Sequence, residues 1–295
     1  MGVGGYYSKD YTYDGLLRYF YHDTEMGGFL SLSYPFSLFS RADLQVFARH
    51  ITRVPLRQGD ETISSNVLLP SLNTSYDNIL WGITGPLTGL RAKARILLSP
   101  PLSFIDESFL SGDLDVRYYS HIAKRFVWAN RFTAGASVSL GKEKAARRFF
   151  LGGNDNWFNY NVNQTNYESN LHISYFSEIL SPMRGWNYFD LTGDRAALFN
   201  SEFRFPFIRE ISTVWPLPLQ IRYISGALFA DAGNAWDRQQ QQGSLPIPSE
   251  IYGGVGFGMR ANLGIFVLRY DRGWPTDWKR IIGAPINYFS LGAEF

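Results

Sequence analysis

Apolar and polar residues alternate along most of this chain with a period of two, the repeat of a β-strand with one oily and one wet face. In the last quarter, Ile251, Val255, Phe257, Met259, Ala261 and Leu263 take odd positions, while Gly254, Gly256, Gly258, Arg260 and Asn262 take even ones. After Gly264 the parity reverses, with Phe266, Leu268 and Tyr270 on one face and Val267, Arg269 and Asp271 on the other, which reads as an antiparallel hairpin. The last segment puts Phe289, Leu291, Ala293 and Phe295 on one face.

Such a pattern suits a sheet with apolar residues at every second position, and composition points to the membrane form of it. Apolar residues make up 45% of the chain and aromatics 17%, with 18 Tyr, 23 Phe and 8 Trp to supply a lipid-facing surface and its interfacial girdles. The mean hydropathy of -0.16 is too low for a helical bundle, and no run of about 18 uncharged apolar residues offers a spanning helix. A transmembrane barrel averages to near-soluble hydropathy because its inner face is polar. The expected class is therefore all-β, an antiparallel transmembrane β-barrel; a soluble sandwich or propeller is the competing reading. The formal net charge of +2 gives no reason to expect nucleic acid, and the absence of cysteine excludes disulfides and thiolate metal sites.

The opening MGVGGYYSKDYTYDG lacks the basic and apolar regions of a signal peptide. A barrel bound for an outer membrane would then have its natural start upstream. Tyr11 to Tyr21 and Gly28 to Phe36 read as short aromatic strands joined by a polar turn from His22 to Met26. Arg41 to Ile51 follows, with Leu44, Val46 and Ala48 opposing Asp43, Gln45 and Arg49, and another strand falls within Asn66 to Trp81. In LTGLRAKARILL, Leu90, Ala92, Ala94, Ile96 and Leu98 oppose Arg91, Lys93 and Arg95. Cations in the hydrocarbon would each cost roughly 2 to 4 kcal/mol near the midplane. They belong in a wet lumen, facing Asp113 and Asp115 of the next strand, or on the solvated face of a one-sided sheet.

Alternation fails from Gly141 to Asp194, a stretch (140–195 in round terms) far longer than a hairpin loop and dense in aromatics, as in RRFFLGGNDNWFNYN. It reads as a folded, packed loop, with LHISYFSEIL as a short strand or helix within it. Strand pattern resumes in RAALFNSEFRFPF, where Ala197, Phe199, Phe203, Phe205 and Phe207 oppose Asn200, Glu202 and Arg204. That parity points Glu202 inward.

The run RGWNYFDLTGDRAALFNSEFRFPF, the later GALFADAGNAWD and the terminal Phe295 resemble the bacterial surface antigen family, the barrel half of the BamA-type assembly and two-partner-secretion translocators. The resemblance implies a long extracellular loop folded into the lumen, with an Arg-Gly-aromatic tip whose arginine meets carboxylates of the following strands. On this chain it assigns Arg184, Gly185 and Trp186 to the tip, and Glu202 and Asp231 to the carboxylates. Phe149, Gly152 and Gly153 match a Phe-x-x-Gly-Gly segment that in the family sits just before the tip; here about thirty residues intervene. Phe289, Leu291 and Phe295 resemble the C-terminal signal read by the outer-membrane assembly machinery. Family barrels have sixteen strands, whereas about twelve or thirteen are recognisable here. Either strands are merged between Ser40 and Leu110, or an N-terminal part is missing together with a periplasmic domain.

A guanidinium in a confined lumen is costly unless paired, and its planar fork suits two carboxylates. Without the resemblance, Arg184 reads as an ordinary solvated loop arginine. Other chemistry is scarcely signalled. His22, His50, His121 and His172 lack metal-ligand spacing, no nucleophile elbow is present, and Gly253, Gly254, Gly256 and Gly258 continue as strand, not as a phosphate-binding turn. Residues 1–295 are expected to form one barrel domain that is no enzyme and needs no metal or cofactor. By the resemblance, its partners are outer-membrane lipid, the assembly machinery, client polypeptides and periplasmic accessory proteins. The alternative is an outer-membrane anchor for an attached periplasmic domain. If the terminal aromatic is an assembly signal, Phe295→Ala leaves the protein degraded or in the periplasm, and a normal yield of heat-modifiable barrel in membranes counts against that role.

Overall fold

The computed structural model describes residues 1–14, 19–56, 61–123, 126–141, 147–158, 175–214, 216, 219–238, 250–263 and 266–292. Eight strands come before the long loop: β1 (Gly2–Asp14), β2 (Tyr19–Pro35), β3 (Ser40–Pro55), β4 (Ile63–Asp77), the two-residue β5 (Leu80–Trp81), β6 (Pro86–Ser99), β7 (Phe109–Ala123) and β8 (Phe126–Ser139). The loop itself carries β9 (Arg148–Leu151), β10 (Ser177–Leu180) and β11 (Leu191–Gly193). After it come β12 (Arg195–Thr213), β13 (Leu219–Trp236), β14 (Tyr252–Asn262), β15 (Val267–Thr276) and β16 (Ile286–Leu291).

The wall is one 13-stranded antiparallel sheet in which chain neighbours pair in turn, β5 only borders β6, and β12 pairs directly with β8. Everything between β8 and β12 is therefore an insertion at one end of the wall. The stretch Ser40–Leu110 holds β3, β4, β5 and β6 and the start of β7, so no long strands were merged there. Among the described residues no pairing joins β1 to β16, and the far side of β16 is bridged by Trp157 of the loop.

Alternation sorts the two faces. Phe199, Phe203, Phe207, Leu228, Phe257 and Met259 are exposed on the outside, where lipid covers them, whereas Glu202, Arg204, Asp231, Arg260 and Asp271 are buried on the inside. The expected turn at His22 to Met26 lies instead within β2. The segment is polar because it faces the lumen: Asp23 takes a bidentate pair from Arg53 at 2.8 and 2.7 Å, and Glu25 an ion pair from Arg49 at 3.1 Å. β1 and β2 pair antiparallel along their length, from Gly2 opposite Ser31 to Asp14 opposite Tyr19.

Inside the wall, β9 pairs parallel with β10 and antiparallel with β11, a three-stranded plug sheet. LHISYFSEIL thus supplies β10 at its end, while its first residues lie outside those described. Phe149, Leu151, Leu180 and Met183 of the loop bury against Ala196, Leu198 and Ala235 of the wall. A second cluster seats Phe176 against Ile51, Val67, Leu69 and Phe109. Each fully buried side chain of this size contributes roughly 1.5 to 3 kcal/mol, so the loop is held by apolar packing as well as by charge. At the other end of the barrel, Ile79 packs on Tyr119, Val127 and Ala129, and Asn262 Nδ2 donates to the Ile83 carbonyl at 2.6 Å.

An outward aromatic at the middle of a strand should resist a charge. Phe257→Arg is expected to destabilise the barrel by about 2 to 4 kcal/mol in unfolding titrations in phospholipid vesicles. An unchanged midpoint would mean that Phe257 lies outside the hydrocarbon.

Candidate functional site

The centre of the lumen is built around Arg184, whose side chain is wholly buried. Its Nε and Nη2 donate to the two oxygens of Asp231, both at 2.8 Å, and its Nη1 donates to Glu202 Oε2 at 2.6 Å. Its own backbone N–H donates to Asp231 Oδ2 at 3.0 Å, so position and charge are fixed by the same carboxylate. The guanidinium lies over the Phe229 ring at 3.5 Å from the centroid, a cation-π contact in a desolvated site. Phe229 and Asp231 share the inward face of β13, so the aromatic that breaks the polar row there is the platform on which the arginine rests.

The pair extends into a cluster. Glu202 also accepts from Arg260 Nη2 at 3.0 Å and from Arg204 Nε at 2.7 Å, and Arg260 Nη1 donates to Asp271 Oδ1 at 2.8 Å. Asn200 Nδ2 donates to Asp231 Oδ1 at 2.8 Å and to the Pro182 carbonyl at 2.6 Å. Four adjoining strands, β12 to β15, thus contribute to one network around one loop residue. Sequence parity put Arg260 and Asp271 on the wet face without showing that they meet the tip.

Small residues let the tip come this close. Gly185 has φ +100°, and a Cβ there would stand 2.8 Å from Pro275 N. The Gly185 N–H donates to the Tyr288 hydroxyl at 2.7 Å, and that hydroxyl donates to the Trp186 carbonyl at 2.8 Å. Trp186 Nε1 donates to the Gly253 carbonyl at 2.9 Å, and its ring meets Tyr252 edge-on. Opposite the tip, a Cβ on Gly254 would lie 1.6 Å from the Arg184 carbonyl oxygen. The glycines of β14 therefore make a trough for the backbone of the tip.

The thirty-residue separation in sequence is closed in space. The Gly153 N–H donates to the Trp186 carbonyl at 2.9 Å, and the Met183 N–H donates to the Gly153 carbonyl at 3.0 Å. Gly152 has φ +133°, and a Cβ there would fall 1.9 Å from the Asn187 carbonyl oxygen. Phe149 is fully buried over Gly135 of β8. Phe289 and Leu291 face outward, and Phe295 lies outside the described residues.

A further set of pairs ties the plug to the strands before it. Arg95 donates to Asp113 of β7 and to Glu178 of β10, both at 2.8 Å, and Arg147 joins the same two carboxylates. Arg131 pairs with Asp115 at 2.7 Å and donates to the Ser181 carbonyl. Of the cations of β6, Arg95 therefore meets Asp113 as its parity implied and a loop carboxylate as well, whereas Arg91 pairs with Asp77 of β4. Among the described residues no group of His, Cys, Asp and Glu could hold a metal ion.

An antiparallel wall that is oily outside and charged inside, with a long loop pinned in its lumen by a buried arginine, defines a transmembrane β-barrel with an inward-folded loop. The Omp85 superfamily domain matches residues 12–295, and the chain belongs to that superfamily. The fold superposes on BamA from Haemophilus ducreyi lacking POTRA domains 1-3, with a TM-score of 0.66, 13% identity and coverage of 98% of this chain and 58% of that one. CdiB from Escherichia coli gives a TM-score of 0.53 at 14% identity, covering 97% and 48%. CdiB from Acinetobacter baumannii gives 0.50 at 15% identity, covering 98% and 46%. This chain thus spans between 46% and 58% of the length of these structures. No curated protein matches it at a significant level.

Removing one partner of a buried pair strands the other charge, at a cost of roughly 3 to 5 kcal/mol. Arg184→Ala and Asp231→Ala are each expected to lower the denaturant midpoint and to expose the loop to protease, with the double variant little worse than either. Strictly additive losses in that cycle would show that the two residues do not act as a pair.

Proposed function

We propose that residues 1–295 are one outer-membrane barrel domain that assembles or translocates polypeptide clients without covalent chemistry, and that the loop 140–195 is its internal lock. The observation that carries this reading is a wall with two outer edges enclosing a lumen occupied by a pinned loop. Membership in the Omp85 superfamily supports it. One polar cleft beside the plug, of about 440 Å³, lies between β3, β4, β6, β7, β8 and β10. A loop pinned in the lumen stands in the way of an extended chain, which favours contact with clients at the strand edges. Backbone groups at an edge want a strand partner, so an extended client can be held by hydrogen bonds that ignore its sequence.

The apolar outer face would make lipid the first partner, and accessory proteins would act at the end opposite the loop. In phospholipid vesicles, the reconstituted protein is expected to speed insertion of an unfolded small outer-membrane barrel, or passage of an unfolded secreted polypeptide, over empty vesicles. Arg184→Ala should lose that gain while the barrel remains embedded. A folded, embedded barrel that accelerates neither process overturns the proposal and leaves the membrane-anchor reading.

A further inference from the structure

At the mouth opposite the long loop, the wall is uneven. Pairing between β8 and β12 stops at Arg204 opposite Val127, yet β12 runs on with β13 to Thr213 opposite Leu219, so a two-stranded ribbon projects past its neighbour. The register shifts between Pro206 and Ile208 in β12 and between Arg222 and Ser225 in β13, where Tyr223 has φ +58°. Such bulges bend and twist the strands that carry them. The hairpin of β5 and β6 reaches toward this ribbon across the mouth. Its turn is closed by the Gly82 N–H on the Gly85 carbonyl at 2.8 Å, and its tip is held by Asn262 of β14 through the Ile83 carbonyl.

Between hairpin and ribbon lies a groove of about 590 Å³, within the roughly 300 to 1,000 Å³ of small-ligand sites. Ile83 and Leu87 line it from the hairpin, Phe126 from β8, and Phe207, Ile208 and Ile224 from the ribbon. Two polar groups interrupt that lining. Arg209 makes no ion pair among the described residues, and Ser225 Oγ is buried without a hydrogen-bond partner among them.

The groove continues the face that the barrel shows to lipid. Phe126 stacks on Phe203 at 5.9 Å between centroids, Phe203 on Phe205 at 6.3 Å, and Phe205 meets Phe207 edge-on at 6.4 Å, so an aromatic row leads from the outer wall into the groove. Phe203 and Phe207 are both exposed. An apolar trough at the end of a lipid-covered row is filled by the same acyl chains that cover the row. An arginine where a strand leaves the wall stands at headgroup level, and its planar fork fits phosphate. A client polypeptide offers apolar side chains but no fixed anion beside them, whereas a phospholipid carries both on one molecule.

We propose that this groove is a phospholipid site: one acyl chain lies between hairpin and ribbon against Ile83, Phe207 and Ile224, and the phosphate of an anionic headgroup pairs with Arg209. The seated chain fills the gap left where β8 stops and props the hairpin across the mouth. The site depends on the barrel lying in a membrane and not on any handling of polypeptides.

The test uses the protein refolded into phosphatidylcholine vesicles doped with phosphatidylglycerol that bears a photoreactive diazirine on its acyl chain, with adducts mapped by mass spectrometry after irradiation. Adducts at Leu87, Phe207 and Ile224 are expected at several times the density found at Phe257 on the open lipid face, and unlabelled phosphatidylglycerol should compete for them. Arg209→Gln should weaken that competition about fivefold, as for loss of one cation near a lipid surface, and Arg209→Lys should restore most of it. Ile224→Trp fills the groove and should abolish its adducts in barrels that keep heat-modifiable mobility; where that variant does not fold, the Arg209 variants alone decide. Adducts no denser in the groove than at Phe257 would reveal ordinary boundary lipid and overturn the site. Equal competition by the arginine and glutamine forms would overturn it as well, and so would groove adducts undiminished in a folded Ile224→Trp barrel. Displacement of the adducts by an unfolded outer-membrane polypeptide would make the groove a client site and overturn the lipid assignment.

Discussion

One buried arginine sets the terms for the rest of this molecule. Arg184 has left water completely, and a guanidinium is tolerated in such a place only when its donors are used and its charge is opposed. Asp231 and Glu202 do this from two different strands, and neither would be stable there alone. The loop tip and the wall strands therefore require each other. Because Glu202 is shared with Arg204 and Arg260, and Asp271 with Arg260, displacing the tip would unsettle charge balance across β12 to β15. The three carboxylates face four arginines, if Arg269 at 3.6 Å from Asp271 is counted with Arg184, Arg204 and Arg260. The network tolerates loss of a carboxylate less well than loss of a cation, since removing Asp231, Glu202 or Asp271 widens an existing excess of positive charge.

Steric room matters as much as charge. The tip reaches its carboxylates because β14 has a floor without side chains where the Arg184 backbone crosses it. Any Cβ at Gly254 would lift the tip and lengthen the very bonds that neutralise it. Glycines usually weaken strands, so their concentration in β14 exchanges local strand stability for access to the lumen wall. The neighbours recover part of that loss, with Trp186 bonded to the Gly253 carbonyl and Tyr288 bonded on both sides of Gly185.

Much of this was legible in the sequence because a membrane barrel writes its two faces into alternate positions. The inward turn of Glu202, Arg260 and Asp271, and the outward turn of Phe203, Phe257 and Leu291, follow from parity alone. Parity failed where a lumenal segment was polar enough to resemble a turn, at His22 to Met26, since charges serving Arg53 and Arg49 look like charges serving water. It was also silent on which inward residues meet. Nothing in the alternation pairs Phe229 with a cation, although the Arg184 guanidinium lies over its ring. The glycines of β14 read only as continuing strand, because nothing in a strand pattern says what backbone will lie against it. The path of the loop was the least legible part, for its contacts join residues more than a hundred positions apart, as between Asn154 and Ser290.

That path gives the loop its mechanical reach. At one end of its span the Tyr175 hydroxyl bonds to Asp23 of β2 at 3.1 Å, near the first edge of the wall; at the other, Trp157 and Phe158 pair with β16, the last edge. Between them, Glu178 binds Arg95 of β6 and Arg184 binds β12 and β13. The loop therefore spans the sheet from one edge to the other along its inner face, and the two edges of an open wall are held at a fixed separation by what lies inside. Widening the gap between β1 and β16 would have to stretch or break these attachments, of which the bonds of Asn156 and Phe158 to β16 join neutral groups. Charge-assisted bonds in a dry site resist separation more than a pair of amide bonds at an edge. A force that opens the wall should thus release the loop first at Trp157 and Phe158 and last at Arg184, so that the edge of β16 becomes available while the tip still fixes the shape of the C-terminal strands.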